Sequence, residues 1–359
     1  MKKLSLLKNL IIYFLFTGLL LTSCGKDNTR PSTKFGNGVF IANEGAFGKN
    51  DASVSYYDYD KDTLYNNVFK NANGYSPGDV LQSLYIDGQR IYLIVNNSNK
   101  IVIADADTLK EEGVIGDLPQ PRYMVAYQGI GYVTCWGDNS VRIIDLNTNQ
   151  VTDTLFTGTG PEHMLIRNGM LLVANSGAFT EDSTLSVIDI STRKVVRTIV
   201  VGTNPQEMVE DKNGNLWVLC YGIVDYTGSG STVPAKLVEL DGSTLEVMKS
   251  LALTGFSHPG VLDINAEGTK LYFCDKYSFP GVFELPVDGT TATGICTDQA
   301  YGFTIVKDHK ELFVMIADPS WTNAGTLKRY DLSGNLLGTY TTGIGPNGGV
   351  LLKMAEQKK

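Results

Sequence analysis

Short apolar runs, rich in β-branched and aromatic residues, recur along the chain between turns rich in glycine and asparagine. YLIV, GYVT, LLVA, LWVL, LYFC and LFVM are the clearest of them, and their length and residue types predict strands. A glycine-marked turn precedes each unit at Gly38, Gly88, Gly129, Gly169, Gly214 and Gly268, and His309-Lys310-Glu311 does the same for the last. The intervals run from about 40 to 54 residues, the range of propeller blades. In each unit a second strand ends at Asp58, Asp105, Asp145, Asp189, Asp241 or Asp331, with VFELPVD as the variant in the sixth. A polar turn (NTNQ, STRK, GSTL) leads to a third strand such as VVRTIVV. A Gly/Pro stretch then opens a fourth: TGPEHML, TNPQEMV, SHPGVLD, GPNGGVLL.

Seven such units predict an all-β fold, a seven-bladed β-propeller of four-stranded antiparallel blades, as one domain over residues 35–352. The chain enters in the second strand of a unit and ends in a fourth-type strand with no unit after it. The C-terminal strand is therefore expected to complete the first blade, closing the ring and removing free sheet edges. Eight blades or a double-sheet arrangement are the competing architectures.

Strands alternate in direction, so the two kinds of connection fall on opposite faces. One face carries short polar hairpins such as IDGQR, IRNGM and LDGST. The other carries longer loops with aromatics: NEGAFGKNDA, NANGYSP, CWGDN, NSGAFTEDS, YGIVDYTGSGSTVP, TGFSHP, DKYSFP, DQAYGF and DPSWTN. Long loops on a rigid frame are where binding residues concentrate. The phrase ANEGAF (Ala42–Phe47) returns as ANSGAF (Ala174–Phe179), the same strand-to-loop junction in blades one and four. Counting along the strands aligns Asn43 and Asn175 with Asn96, Trp136, Tyr221, Asp275 and Asp318. A second ring comes from the starts of the fourth-type strands: Gln82, Arg122, Tyr123, Glu162, His163, Gln206, Glu207 and Asn347. Asn and Asp at such junctions also serve to bond loop backbone, and both roles stay open here. The loop aromatics Phe47, Tyr75, Trp136, Phe179, Tyr226, Phe256, Tyr277, Phe279, Tyr301 and Trp321 have no task that the fold requires. Exposed aromatics with amides between them suit a large amphipathic ligand or a protein partner.

The formal charge is −8, and no basic patch is present, which argues against nucleic-acid binding. At the N-terminus Lys2, Lys3 and Lys8 precede the apolar run Leu10–Leu21, too short for a comfortable span and ending in Leu21-Thr22-Ser23-Cys24. Residues 1–23 therefore read as a signal peptide whose end resembles a bacterial lipobox, with Cys24 as the lipidation site. Residues 24–34 read as a tether and 353–359 as a polar tail. Cys135, Cys220 and Cys274 close apolar runs where Ala42, Val95 and Ala174 stand elsewhere, which predicts buried packing sites. There is no C-x-x-C spacing to suggest zinc, and no disulfide is expected.

Catalytic motifs are weak. Gly74-Tyr75-Ser76-Pro77-Gly78 matches G-x-S-x-G, but Pro77 and a strand follow where a nucleophile elbow needs a helix, so a turn is expected. Asp58–Asp62 starts like a calcium loop but has Thr63 where glycine is needed and Phe69 where glutamate is needed. It reads as a charged hairpin. His163 and His258 read as hydrogen-bonded rim residues, and His309 as merely solvated. No catalytic centre, resident cofactor or metal site is expected.

The units IANEG and VANSG, the stretch VIDISTRKVVRTIVVGTNP and the count of seven resemble the YncE-type surface propellers of Bacteroidota. Within them the chain is most similar to the BtuG-like lipoproteins, over nearly all of the mature sequence. The resemblance implies a non-enzymatic lipoprotein of the outer membrane, facing outward. It would capture cobalamin (vitamin B12) or a related corrinoid and pass it to a TonB-dependent transporter. The ligand-binding set expected on the loop face is Asn43, Phe47, Asn96, Arg122, Tyr123, Trp136, His163, Asn175, Phe179, Gln206, Tyr221, Tyr226, His258, Asp275, Tyr277, Phe279, Tyr301 and Trp321, with Arg122 meeting the corrinoid phosphate. The alternatives are a propeller that binds a glycan or a protein partner.

Overall fold

The computed structural model describes residues 34–225, 232–257 and 259–352. Among them the strands form seven four-stranded antiparallel sheets. Six blades are continuous in sequence, and their innermost strands are Leu81–Asp87, Pro121–Tyr127, Pro161–Arg167, Pro205–Glu210, Pro259–Ile264 and Gly302–Val306. Blade 1 is made from both ends of the ring. Gly38–Asn43, Ser53–Asp58 and Thr63–Tyr65 supply three strands, and the C-terminal strand Pro346–Leu352 pairs with Gly38–Asn43 as the innermost. The expected closure is what the structure has, and it gives blade 1 the same four strands as the other six.

The turn chemistry follows the sequence. Asn168 and Gly169 both take left-handed backbone (φ 48° and 75°), the requirement of a tight two-residue hairpin between the paired Arg167 and Met170. The recurring aspartate at the end of the third strand from the axis caps the next turn. Asp145 accepts the N–H groups of Asn147 and Thr148, and Asp241 those of Ser243 and Thr244. Between blades the alternating apolar residues interlock, with Trp217, Tyr92, Tyr272, Phe273 and Phe313 fully buried. Cys135, Cys220 and Cys274 are buried free thiols, and burial pushes the first two up to about 12.

Two expectations need correction. The segment before Gly74, read as loop, contains a short helix, α1 (Val68–Asn73), whose Val68 and Phe69 are buried. The outer strand of blade 1 is only Thr63–Tyr65, and α1 fills the space that a longer strand covers in other blades. His309 is not merely solvated. Its ring stacks on Tyr59 at 3.7 Å between centroids and its Nε2 lies 3.3 Å from Asn37 Oδ1, so it belongs to the seam between blades 7 and 1. The G-x-S-x-G stretch is a turn, and Ser76 Oγ donates to the Ala52 carbonyl oxygen at 2.6 Å.

Candidate ligand-binding face

Six of the seven innermost strands break register where they start on the loop face: at Leu81/Ser83, Pro121/Met124, Pro161/Met164, Pro205/Glu207, Pro259/Val261 and opposite Ala42/Asn43. A β-bulge leaves residues unpaired and turns their side chains. Apart from Gly260 in blade 6, the skipped residues here are polar, and most of them link neighbouring blades around the axis. Asn347 Nδ2 donates to the carbonyl oxygens of Leu81 and Gln82. The Gln82 side chain accepts from Arg122 Nη1 on Oε1 and donates through Nε2 to Tyr123 Oη. Arg122 grips Glu162 with two N–H groups at 2.8 and 2.9 Å. His163 Nδ1 lies 3.3 Å from Glu207 Oε1, and Glu207 Oε2 accepts the Leu262 N–H at 2.7 Å. Asp263 accepts the Ile305 N–H, and Thr304 Oγ1 accepts that of Gly349, which returns the belt to blade 1.

The belt surrounds a central well of about 360 Å³, to which Tyr123, His163, Glu207, Asp263, Lys276 and Asn347 contribute. Burial sets its charges. It pushes the Glu207 carboxyl up to about 8, with the N–H of Leu262 pulling the other way, and it pulls the His163 imidazole down to about 3. At neutral pH the facing pair is therefore largely uncharged. Beside the well, a groove of about 420 Å³ runs over blades 3 to 6, lined by Arg122, Trp136, Phe179, Gln206, Tyr221, Lys276 and Tyr277 among others. The Arg122 guanidinium lies 3.7 Å over the Trp136 ring, and Phe179 meets that ring edge-on at 5.6 Å. Gly260 and Lys276 line both spaces, so the two are continuous.

The structure thus brings Arg122, Trp136, Phe179, Gln206, Tyr221 and Tyr277 to one groove and Tyr123 and His163 to the adjoining well. Tyr301 lies next to them. It donates to Glu44 at 2.9 Å and packs edge-on against Trp321 at 4.7 Å, with Tyr277 at 6.0 Å. Phe279 packs on Phe256 and Phe283 and lines neither space. Phe47 is 78% exposed on blade 1 and lines neither space. Asn43, Asn175 and Asp275 are buried beneath the loops. Asn43 Nδ2 donates to Ser55 Oγ at 2.9 Å, Asn175 Nδ2 to Thr184 Oγ1 at 2.8 Å, and Asp275 accepts the N–H groups of Ser257, Tyr277 and Ser278. Asn96 donates to the Pro121 carbonyl oxygen. Tyr226, His258 and Cys24 lie outside the described residues.

The ladder also corrects the junction ring by one residue. Opposite the first residue of the inner strand stand Asn43, Val95, Cys135, Asn175, Cys220 and Asp275. The next residue, Glu44, Asn96, Trp136, Ser176 or Tyr221, donates its N–H to the carbonyl just before that strand. Lys276 holds this position in blade 6. Trp136 and Tyr221 are therefore equivalent to Lys276, not to Asp275, and Cys135 and Cys220 correspond to Asn43 and not to Ala42. Successive strand side chains point to opposite sides, so this one-residue offset separates buried from groove-facing groups. Counting along the strands therefore does not single out Lys276, although the DKYSFP loop displays it.

Among the described residues no group of three or more His, Cys, Asp or Glu could hold a metal ion. Nor is any helix there long and apolar enough to cross a membrane.

Comparisons with known proteins agree on the architecture. A Bacteroides thetaiotaomicron structure described as a quinonprotein alcohol dehydrogenase-like protein is 16% identical, with a TM-score of 0.65 over 89% of this chain and 79% of that one. A Bacteroides fragilis structure described as a candidate 6-phosphogluconolactonase is 13% identical, with a TM-score of 0.65 over 90% of this chain and all (100%) of that one. A protein from Lactobacillus plantarum gives 16% identity and a TM-score of 0.63, covering 88% and 99%. At such identities the likeness carries the fold alone. No curated protein matches the sequence. Residues 37–282 match the family described as "Domain of unknown function (DUF5074)", more than half of the 359-residue chain, and the chain belongs to that family.

Proposed function

We propose that the protein is a capture propeller that binds a broad amphipathic small molecule on its loop face, without transforming it. The ligand we infer is a corrinoid of the vitamin B12 type. In this reading Cys24 carries a lipid that anchors the chain to the outer membrane, facing outward, and the ligand passes to a TonB-dependent transporter. The observation that carries the reading is the groove joined to the well. Its walls are aromatic (Trp136, Phe179, Tyr221, Tyr277) and amide (Gln206, Asn204), and the belt below fixes its floor. A corrinoid has a wide ring edged by methyl groups and amide arms, which such a surface can both pack and hydrogen-bond. Rigid walls lose little entropy on binding.

Titrating the full chain in detergent with cyanocobalamin, by calorimetry and by the visible corrin spectrum, tests this. One-to-one binding is expected, weakened about tenfold or more by Trp136→Ala and by Tyr277→Ala. Absence of heat and of spectral change at micromolar concentrations sinks the corrinoid reading. The second reading, a glycan or protein partner, is favoured by Phe47, which is displayed apart from the groove. A Phe47→Ala variant that binds cyanocobalamin normally but loses an association would support it. The lactonase in the description of the Bacteroides fragilis neighbour makes a third assay worthwhile, and no lactone hydrolysis is expected.

A further inference from the structure

Three basic side chains, Arg122, His163 and Lys276, border the well and groove, and the first two are already committed. Arg122 is held by Glu162 and Gln82 and covered by Trp136, so it is not available to a ligand anion as the sequence suggested. His163 is packed on Tyr123 and is neutral at ordinary pH. Lys276 differs. It lines both spaces, holds the repeat position of Trp136 and Tyr221, and among the described residues makes no ion pair. Its amine lies 5.1 Å from the Tyr301 ring centre. Gly260 makes the placement possible, because a Cβ there would come within 2.8 Å of Lys276 Cε. The stem thus crosses bare backbone, and the ammonium is set where groove meets well.

We propose that Lys276 is the cation of an oxyanion subsite, taking a phosphodiester or similar monoanion attached to a flat apolar body that lies against Trp136 and Tyr277. This deepens the capture reading and rests on it only for the site, not for the corrinoid. The neighbouring charges fit the assignment. Glu162 is matched by Arg122 and Asp263 by Lys307, while Glu44 is turned to Tyr301 and Asn347. Glu181 sits at the outer groove wall in blade 4. Glu207 is the carboxyl beside Lys276 whose charge changes near neutrality, under the influence of Asp263, Glu162, Lys276 and His163. Its ionisation places a negative charge next to the subsite, so anion binding weakens as pH rises through about 8.

The test uses methyl phenyl phosphate, a phosphodiester monoanion that does not titrate between pH 6 and 9, and its neutral triester, dimethyl phenyl phosphate. Calorimetry on the full chain at pH 6.5 is expected to show one-to-one binding of the diester, weakened about tenfold or more in Lys276→Gln and largely restored in Lys276→Arg. The triester is expected to bind weakly and equally to all three proteins. At pH 9 the wild type should lose affinity for the diester and Glu207→Gln should keep it. Equal diester affinity in wild type and Lys276→Gln, or no diester binding at all, overturns the subsite. Cyanocobalamin titration of the same proteins separates the two claims. A diester effect without cyanocobalamin binding leaves the subsite and removes the corrinoid. Cyanocobalamin binding with no diester effect does the reverse.

Discussion

Glu207 and His163 face each other across the seam between blades 4 and 5, and burial acts on them in opposite directions. The Glu207 carboxyl, near 8 when folded against an ordinary 4.5, is protonated in the native state over a range where the unfolded chain has released its proton. Its contribution is complete below about pH 4.5 and is lost as pH rises through 8, at up to about 1.4 kcal/mol per pH unit. His163, near 3 against an ordinary 6.5, stays neutral where the unfolded chain is charged. Its contribution is complete above about 6.5 and is lost as pH falls toward 3. The two slopes offset between 4.5 and 6.5, so stability from this pair peaks there. Thermal denaturation across pH should show the wild type losing stability from 6.5 to 8.5 and Glu207→Gln staying flat. Parallel curves would remove Glu207 from the account. At this scale the sequence was legible in kind but not in register. It placed Glu207, His163 and Arg122 in one ring on the loop face, yet it could not show that Arg122 is bound on two sides. It also missed Lys276, because bulges shift the count and only the ladder reveals where they fall.

The repeated phrase illustrates what an element contributes. In ANEGAF and ANSGAF the asparagine goes inward, the glycine turns the chain at φ 83° or 79°, and the phenylalanine is displayed on the face. Only glycine takes that conformation without strain. A Cβ on Gly177 would also meet the Thr180 carbonyl oxygen at 2.7 Å. The asparagine spends its Nδ2 on hydroxyls of the adjacent strand, Ser55 in one copy and Thr184 and Ser186 in the other. Asn175→Ala removes these bonds from a fully buried position and should cost about 1–3 kcal/mol in chemical denaturation. The loosening should reach the loop it anchors, with faster hydrogen exchange at Gly177 and Thr180, whose amides bond within and beneath it. Unchanged exchange would mean the loop holds itself. Strands and hairpins were readable because alternation and Asn/Gly/Asp turns leave marks in sequence. Helix α1 left none: one short turn needs only Val68 and Phe69 to bury, and the space it fills exists only because a strand three residues long stands beside it.

For the whole molecule, closure is the vulnerable step, because blade 1 is assembled from residues some 300 positions apart. Main-chain pairing of Pro346–Leu352 with Gly38–Asn43 completes blade 1 on its inner side. The outer part of the same seam is closed by Arg329, reaching from blade 7 into blade 1. Its guanidinium binds Glu311 with Nε and Nη2, and donates through Nη1 to Tyr57, Asp62 and Tyr340. It also lies 4.4 Å from the Tyr57 ring centre and 5.3 Å from that of Tyr59. Arg329 is only 8% exposed, so its loss strands the mostly covered carboxylate of Glu311 and several phenol groups. Removing one member of a buried pair costs about 3–5 kcal/mol. Arg329→Ala should lose that much in chemical denaturation, whereas Lys212→Ala, which breaks the exposed pair with Asp288, should stay within about 0.5 kcal/mol of wild type. The double variant Arg329→Met with Glu311→Gln, which leaves only the solvent-exposed Asp62 carboxylate without its cation, should recover part of the loss. If Arg329→Ala falls no further than Lys212→Ala, the ring is held by its inner strand alone, and the seam cluster is decoration on a closure already made. If it falls as expected, the ligand face inherits the dependence. Glu44, which accepts from the well residue Asn347, and Tyr301, whose ring lies beside Lys276, sit on blades 1 and 7 and hydrogen-bond to each other across the seam that Arg329 joins.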